Sequence, residues 1–147
     1  MAIKKEIFRI IDANFNRTRE GLRVCEDIAR FMINSPGITK ELKALRHGVS
    51  EIIRSSPEMA GILIESRDAV GDCGRMPDSR IEVPRREVLD VFTANIERVK
   101  ESIRVLEEFF KIINVKLSCR LSRLRFKAYD IEKKAVKRMA SLRKVVL

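Results

Sequence analysis

Apolar residues recur at helical spacing along most of the chain. Over residues 5–33, Ile7, Ile10, Ile11, Phe15, Leu22, Cys25, Ile28, Ala29 and Met32 fall on one broad face. Asn34-Ser-Pro-Gly37 ends that run, because turn residues and a proline do not continue a helix. A second helix is predicted over 40–55, with Thr39 as its N-cap and a seam of Leu42, Leu45, Val49, Ile52 and Ile53. A third is predicted over 86–114. A fourth, over 117–144, has the seam Leu117, Leu121, Leu124, Ala128, Ile131, Ala135, Met139 and Leu142. Residues 56–86 hold Pro57, Pro77 and Pro84 and are predicted as an irregular connection with a short apolar helix, Glu58–Glu65. At ~1.5 Å per residue the first, third and fourth helices are each on the order of 40 Å long. Long helices with short turns predict an all-α protein, an antiparallel four-helix bundle. The chain of 147 residues fits a single helical domain.

The halves resemble each other. Residues 12–31, DANFNRTREGLRVCEDIARF, align with 93–112, TANIERVKESIRVLEEFFKI. Ala13/94, Asn14/95, Arg17/98, Glu20/101, Arg23/104, Val24/105 and Glu26/107 are identical. LKALRHGVSEI (42–52) aligns with LSRLRFKAYDI (121–131), sharing Leu42/121, Leu45/124, Arg46/125 and Ile52/131. Convergent amphipathic patterning copies hydrophobic period but not Asn, Arg and Glu. The expectation is a duplicated helical hairpin, with halves 5–56 and 86–144 paired about a pseudo-twofold axis to bury one shared stripe.

Composition narrows the class. With 45% hydrophobic and 35% charged residues the chain has material for a core and is not of the disordered type. No apolar run has the length of a membrane span, and MAIKKEIFRI has no signal-peptide pattern. Cys25, Cys73 and Cys119 read as reduced thiols, so the expected location is cytoplasmic. The net charge is +10, and residues 115–147 carry 11 Lys and Arg against 2 Asp and Glu. The helical wheel puts this charge opposite the fourth seam, as on a solvated face. With one Tyr and no Trp, nucleic-acid binding is not the expected role.

Polar residues on the apolar faces mark candidate chemistry. Asn14 is central on the face of the first helix, flanked by Thr18 and Gly21, with Arg17 at its edge; Asn95, Ser102 and Arg98 repeat the pattern. Inward Asn and Arg side chains call for partners, either an anionic ligand or a carboxylate on a neighbouring helix. Arg46 and Arg125 flank their seams and are candidates for the same cluster. Glu20, Arg23, Glu101 and Arg104 are secondary candidates, since surface pairing gives little reason for their repetition. In Ser66-Arg-Asp-Ala-Val-Gly-Asp-Cys-Gly-Arg75, Gly71 and Gly74 are expected to free backbone N–H groups for a phosphate. Arg67 and Arg75 are candidate phosphate ligands, and Asp68 and Asp72 could hold Mg2+ directly or through water. The alternative is a plain surface turn.

IIDANFNRTREGLRVCEDIARF, LKALRHGVSEII, SRDAVGDCG, TANIERVKESIRVLEEFFK and LRFKAYDIEK occur in this order. Together they resemble the small, strictly monofunctional hydroxymethylpyrimidine-phosphate kinases of thiamin biosynthesis, over residues 7–134. In that family the domain stands alone or is fused to the N-terminal side of thiamin-phosphate synthase, and this chain resembles the standalone form. The resemblance implies ATP-dependent conversion of 4-amino-5-hydroxymethyl-2-methylpyrimidine phosphate to its diphosphate, with ATP and Mg2+. It also implies a functional link to thiamin-phosphate synthase. It assigns no catalytic residues, so chemistry supplies the roles. Arg17 and Arg98 would clamp phosphates, Asn14 and Asn95 would orient the substrate, Asp68 and Asp72 would hold Mg2+, and Arg67 would stabilise the transferring group. The rival readings are a mutase-like bundle gripping a dianion and a basic regulatory or nucleic-acid-binding module. Whether the site lies within one bundle or across a homodimer stays open.

Overall fold

The structure, a computed structural model, describes residues 2–55, 57–75 and 84–146. Five α-helices occur among them: α1 (Ala2–Asp27), α2 (Pro36–Arg54), α3 (Pro57–Ser66), α4 (Val88–Ile113) and α5 (Val115–Val146). Residues 76–83 of the predicted connection lie outside the described residues.

The ends of the helices follow local chemistry. α1 runs into one π-turn, Ile28–Met32, where the Ile33 N–H donates to Ile28 O at 2.9 Å. A π-turn adds one residue to the turn and advances the phase of the side chains. Hence Ile33 takes the core position at 4% exposure, and Met32, predicted on the seam, is 61% exposed. Asn34 then adopts a left-handed conformation (φ 51°) and the Ser35 N–H donates to Ala29 O, closing the helix end. The next helix begins at once. Ser35, not the predicted Thr39, is its N-cap, accepting from the Ile38 N–H at 3.3 Å, and Pro36 occupies the first turn. There a missing N–H costs nothing, so the proline that ends one helix starts the next. Thr39 donates to Ser35 O inside that turn. Asn114 is extended, and its Oδ1 accepts from Lys116 and Leu117 N–H groups, so α5 starts at Val115, before the predicted Leu117.

α1, α2, α4 and α5 form the bundle, and α3 lies on α1. α1 contacts α2 and α4, and α5 contacts the same two. Thr18 meets Ser102, and Cys25 meets Phe92, so α1 and α4 run antiparallel. Ile11, Leu22, Leu42, Leu45, Val49, Phe92, Ile96, Ile103, Leu106, Phe110 and Leu121 fill the space between. Cys25 is fully buried, and that burial, reinforced by the Glu132 charge, pushes its thiol up to about 12. It stays protonated and is not a nucleophile.

The duplication extends to individual bonds. Asn14 and Asn95 each donate to the carbonyl four residues back, Ile10 and Val91, at 2.8 Å. Arg46 pairs with Glu26 at 2.9 Å, and Arg125 pairs with Glu107 at the matching positions. The hydrogen bond to Glu107 holds the Arg125 guanidinium charge more firmly than usual. Both carboxylates are buried, Glu107 to 2% exposure. Glu107 also accepts from Arg104 at 3.1 Å, but that arginine is exposed, so losing Arg125 leaves the buried carboxylate with a solvated partner alone. Arg125→Met is expected to lower unfolding stability by about 3 kcal/mol in urea melts, with Glu107→Gln added in the same chain recovering most of it. An unchanged urea midpoint in the single variant would show that Arg104 alone satisfies Glu107.

Candidate functional site

The site begins where α3 ends. Ser66 is buried and its hydroxyl donates to Leu63 O, while the Arg67 N–H donates to Ile64 O, so the backbone leaves α3 in a fixed direction across α1. The Arg67 side chain then forks onto Asp12 of α1, Nε to Oδ2 at 2.7 Å and Nη2 to Oδ1 at 2.8 Å. The Asp12 hydrogen bond holds the Arg67 guanidinium in its charged form. Asn16 also donates to Asp12 Oδ1, at 3.3 Å. Further along, Arg9 donates to the Asp68 carbonyl at 3.4 Å.

The following turns satisfy themselves. Asp68 Oδ1 accepts from the Gly71 N–H and Asp72 Oδ1 accepts from the Gly74 N–H, both at 2.8 Å. The expectation that these glycine N–H groups face a phosphate is therefore corrected: neighbouring aspartates take them, as short acidic side chains do in turns. No described glycine has positive φ. A Cβ at Gly71 would meet the Asp68 carboxylate, so a side chain there would displace that carboxylate from the turn.

Between α1 and this segment lies an open cavity of about 460 Å³, lined by Glu6, Arg9, Asp12, Asn14, Arg17, Arg67, Asp68 and Asp72, among others. A second cleft, of about 410 Å³, lies between α1 and α4 and is lined by Asn14, Arg17, Arg98, Glu101, Ser102 and Val105. Asn14 and Arg17 belong to both. Arg17 Nη1 donates to Asn14 Oδ1 at 3.3 Å, which links the two side chains.

Of the predicted site residues, Asn14, Arg17, Arg67, Asp68 and Asp72 are thus brought together, and Arg98 and Glu101 line the adjoining cleft. Gly71 shapes the loop without lining the cavity, and Arg75 lies apart from it. The expected depth of the arginines is corrected. Arg17 and Arg98 are exposed at the rim of the α1–α4 seam while Asn14 is buried. At the edge of an apolar face, a long side chain reaches water and carries its charge there. Asn95 is half-buried, and its amide is bonded within its own helix. Arg46 and Arg125 are not brought to the cavities; Glu26 and Glu107 hold them. Glu20 lies 3.5 Å from Arg98, Arg23 lies beside Glu26, and Arg104 bridges Glu107 and Glu108.

Three charged lining residues escaped the sequence reading, Glu6, Arg9 and Asp12. The signal for Asp12 was present: it opens the repeat where the second copy has Thr93. As for a metal, Asp68 and Asp72 each commit one oxygen to a turn and keep a second. No group of three or more candidate ligands occurs among the described residues. One or two carboxylates completed by water and substrate phosphates suit Mg2+, so the donor set fits that ion.

No described helix is long and apolar enough to cross a membrane. The basic side of α5 is tied in part to α2, where Lys134 meets Glu41 and Arg120 meets Glu51.

The ThiD2 family model matches residues 9–134. A thiamine-phosphate synthase of Nostoc sp. (strain PCC 7120 / SAG 25.82 / UTEX 2576) is 35% identical over 130 residues, 88% of this chain and 35% of that protein. One from Rhodopirellula baltica is 33% identical over 141 residues, 96% of this chain and 37% of that protein. One from Gloeobacter violaceus is 35% identical over 137 residues, 92% and 38% of the two chains. The chain spans about a third of the length of these curated relatives. No solved structure matches it.

Proposed function

The chain belongs to the ThiD2 family, and from that premise we propose that it acts in thiamin biosynthesis, phosphorylating 4-amino-5-hydroxymethyl-2-methylpyrimidine phosphate to its diphosphate with ATP. The observation that carries the reading is the pair of clefts sharing Asn14 and Arg17, with Arg9, Arg67 and Arg98 around them. Two phosphate-bearing substrates need two adjoining pockets and a cation between them. A phosphate oxygen of the pyrimidine attacks the γ-phosphorus, and the bond to the β,γ-bridging oxygen breaks to release ADP. The attacking oxygen is already anionic, so the protein need not supply a strong base. Its work is to hold donor and acceptor in line and to offset negative charge. Arg17 spans both phosphate groups, Arg98 holds the one in the second cleft, and Arg67 faces the transferring group. Asn14 orients the acceptor. Mg2+ entering with ATP would be held by Asp68 and Asp72 and would neutralise charge on the donor phosphates.

A functional link to thiamine-phosphate synthase belongs to the same reading, because in the relatives the matching region is part of such a protein.

The test is ADP release from Mg-ATP, comparing the pyrimidine phosphate with the free alcohol. The phosphate is expected to turn over and the alcohol is not, because the alcohol gives the arginines no anion to hold. ADP release with neither compound, from a folded helical sample, would overturn the kinase reading. Equal rates with both would overturn the role given to the substrate's own phosphate.

A further inference from the structure

We propose that Asp12 is a positioning residue that sets which edge of the Arg67 guanidinium faces the cavity; the proposal rests on the reading of that cavity as a phosphoryl-transfer site. A guanidinium has five N–H donors in a flat fork. Asp12 engages Nε and one N–H of Nη2, at 2.7 and 2.8 Å. Both donors of Nη1 and the second donor of Nη2 remain, and one from each nitrogen forms the outer edge of the same plane. That edge has the spacing for two parallel bonds to a phosphate. Asp12 is buried whereas the Arg67 side chain is 49% exposed, so the carboxylate is the fixed half and the guanidinium the half that is aimed.

Two observations accord with this role, and the experiment separates it from loop fastening. The pair is asymmetric in a duplicated protein: the second copy has Thr93 where Asp12 stands, and only the half carrying α3 and the Arg67 segment has the acid. The pair is also electrically neutral. Asp12 adds nothing to the attraction of the site for an anion and works against it. What it contributes is orientation, and orientation acts on the transition state more than on binding.

The experiment compares wild type, Asp12→Asn, Arg67→Ala and the double variant, by ADP release and by calorimetric titration with inorganic pyrophosphate. Asp12→Asn is expected to lower kcat about a hundredfold with KM nearly unchanged. In the Arg67→Ala background it should cost nothing further. Added guanidinium should restore activity to Arg67→Ala but not to the double variant, whose receptor for the guanidinium is gone. Equal losses from Asp12→Asn in both backgrounds would overturn the proposal and leave the kinase reading standing. If wild type fails to turn over the pyrimidine phosphate, the kinase reading falls, and the pyrophosphate cycle then decides. Coupling of residues 12 and 67 in that affinity supports the proposal; absent coupling, or no pyrophosphate binding, overturns it. Should Asp12→Asn not fold, Asp12→Glu serves, since it keeps the charge and displaces Arg67 by a methylene. Reduced kcat at an unchanged melting temperature is expected, and wild-type kcat would overturn the role.

Discussion

Replacing Arg17 with alanine is expected to lower kcat/KM for the pyrimidine phosphate by about three orders of magnitude, with the far-UV circular dichroism unchanged. An arginine that offsets transition-state charge in phosphoryl transfer is worth about 10³–10⁵ in rate. The low end applies, because Arg9, Arg67 and Arg98 remain around the clefts. The fold has little to lose. Arg17 is exposed, and its hydrogen bond goes to Asn14 Oδ1, three residues back on its own helix. The neighbouring Arg98 lines one cleft and stands near Glu20, so Arg98→Ala should be milder and act chiefly on KM. Arg17→Lys should not restore the rate, since an ammonium cannot span two phosphate groups as a fork does. Steady-state kinetics on the three variants check the ordering. Near-wild-type turnover in Arg17→Ala would remove the residue from the scheme.

The helices were legible in the sequence because their signals are local. The seam of α2, Leu42, Leu45, Val49, Ile52 and Ile53, is buried throughout. What failed at the helix ends was also local but ambiguous: Pro36 stops one helix and starts another, and a single π-turn exchanges Met32 for Ile33. The duplication was legible because Asn, Arg and Glu recur, and the structure gives the reason for two of them. Glu26 and Glu107 recur because each holds an arginine of the partner helix in its own hairpin. The same fact takes Arg46 and Arg125 away from the cavities. Helical phase alone could not show this, because it reports the face a residue occupies and not the depth or partner it finds there. The pairing of Asp12 with Arg67 spans 55 positions and depends on how α3 docks. No short-range pattern carries that information.

The halves share a scaffold, yet most of the candidate chemistry sits on the first of them. α4 lends Arg98, Glu101 and Ser102 to the second cleft, but α3, the aspartates of the following loop and Asp12 lie on the side of the first hairpin. A duplicated bundle buries its stripe with both copies and leaves each outer face free to diverge. Divergence reaches the helix crossing itself. Thr18 and Ser102 share a hydroxyl hydrogen bond of 2.7 Å. Their repeat counterparts are Val99 and Gly21, so the symmetry-related contact is apolar and closer.

At that contact, Gly21→Val is expected to destabilise the protein by about 3 kcal/mol and to depress activity in the fraction that folds. A Cβ at Gly21 would lie 2.9 Å from Asn95 O and 2.9 Å from Val99 Cγ2. The first of these is backbone, so relief requires α4 to move. On an isolated helix the sign would be opposite, since glycine is about 1 kcal/mol worse than alanine there. The crossing reverses it, and even Gly21→Ala should lose stability. Val99→Ala added to Gly21→Ala should recover part of the loss, because it removes one of the two colliding atoms and leaves the carbonyl. The consequence for activity follows from place. Arg17 and Arg98 lie on either side of this crossing, and the distance between α1 and α4 sets the width of the cleft they line. Pushing the helices apart should therefore raise KM and lower kcat together. Urea unfolding of the alanine and valine variants, with kinetics below the unfolding transition, measures both effects. An alanine variant more stable than wild type would show that α4 yields at this point and that close approach of the two helices is not required.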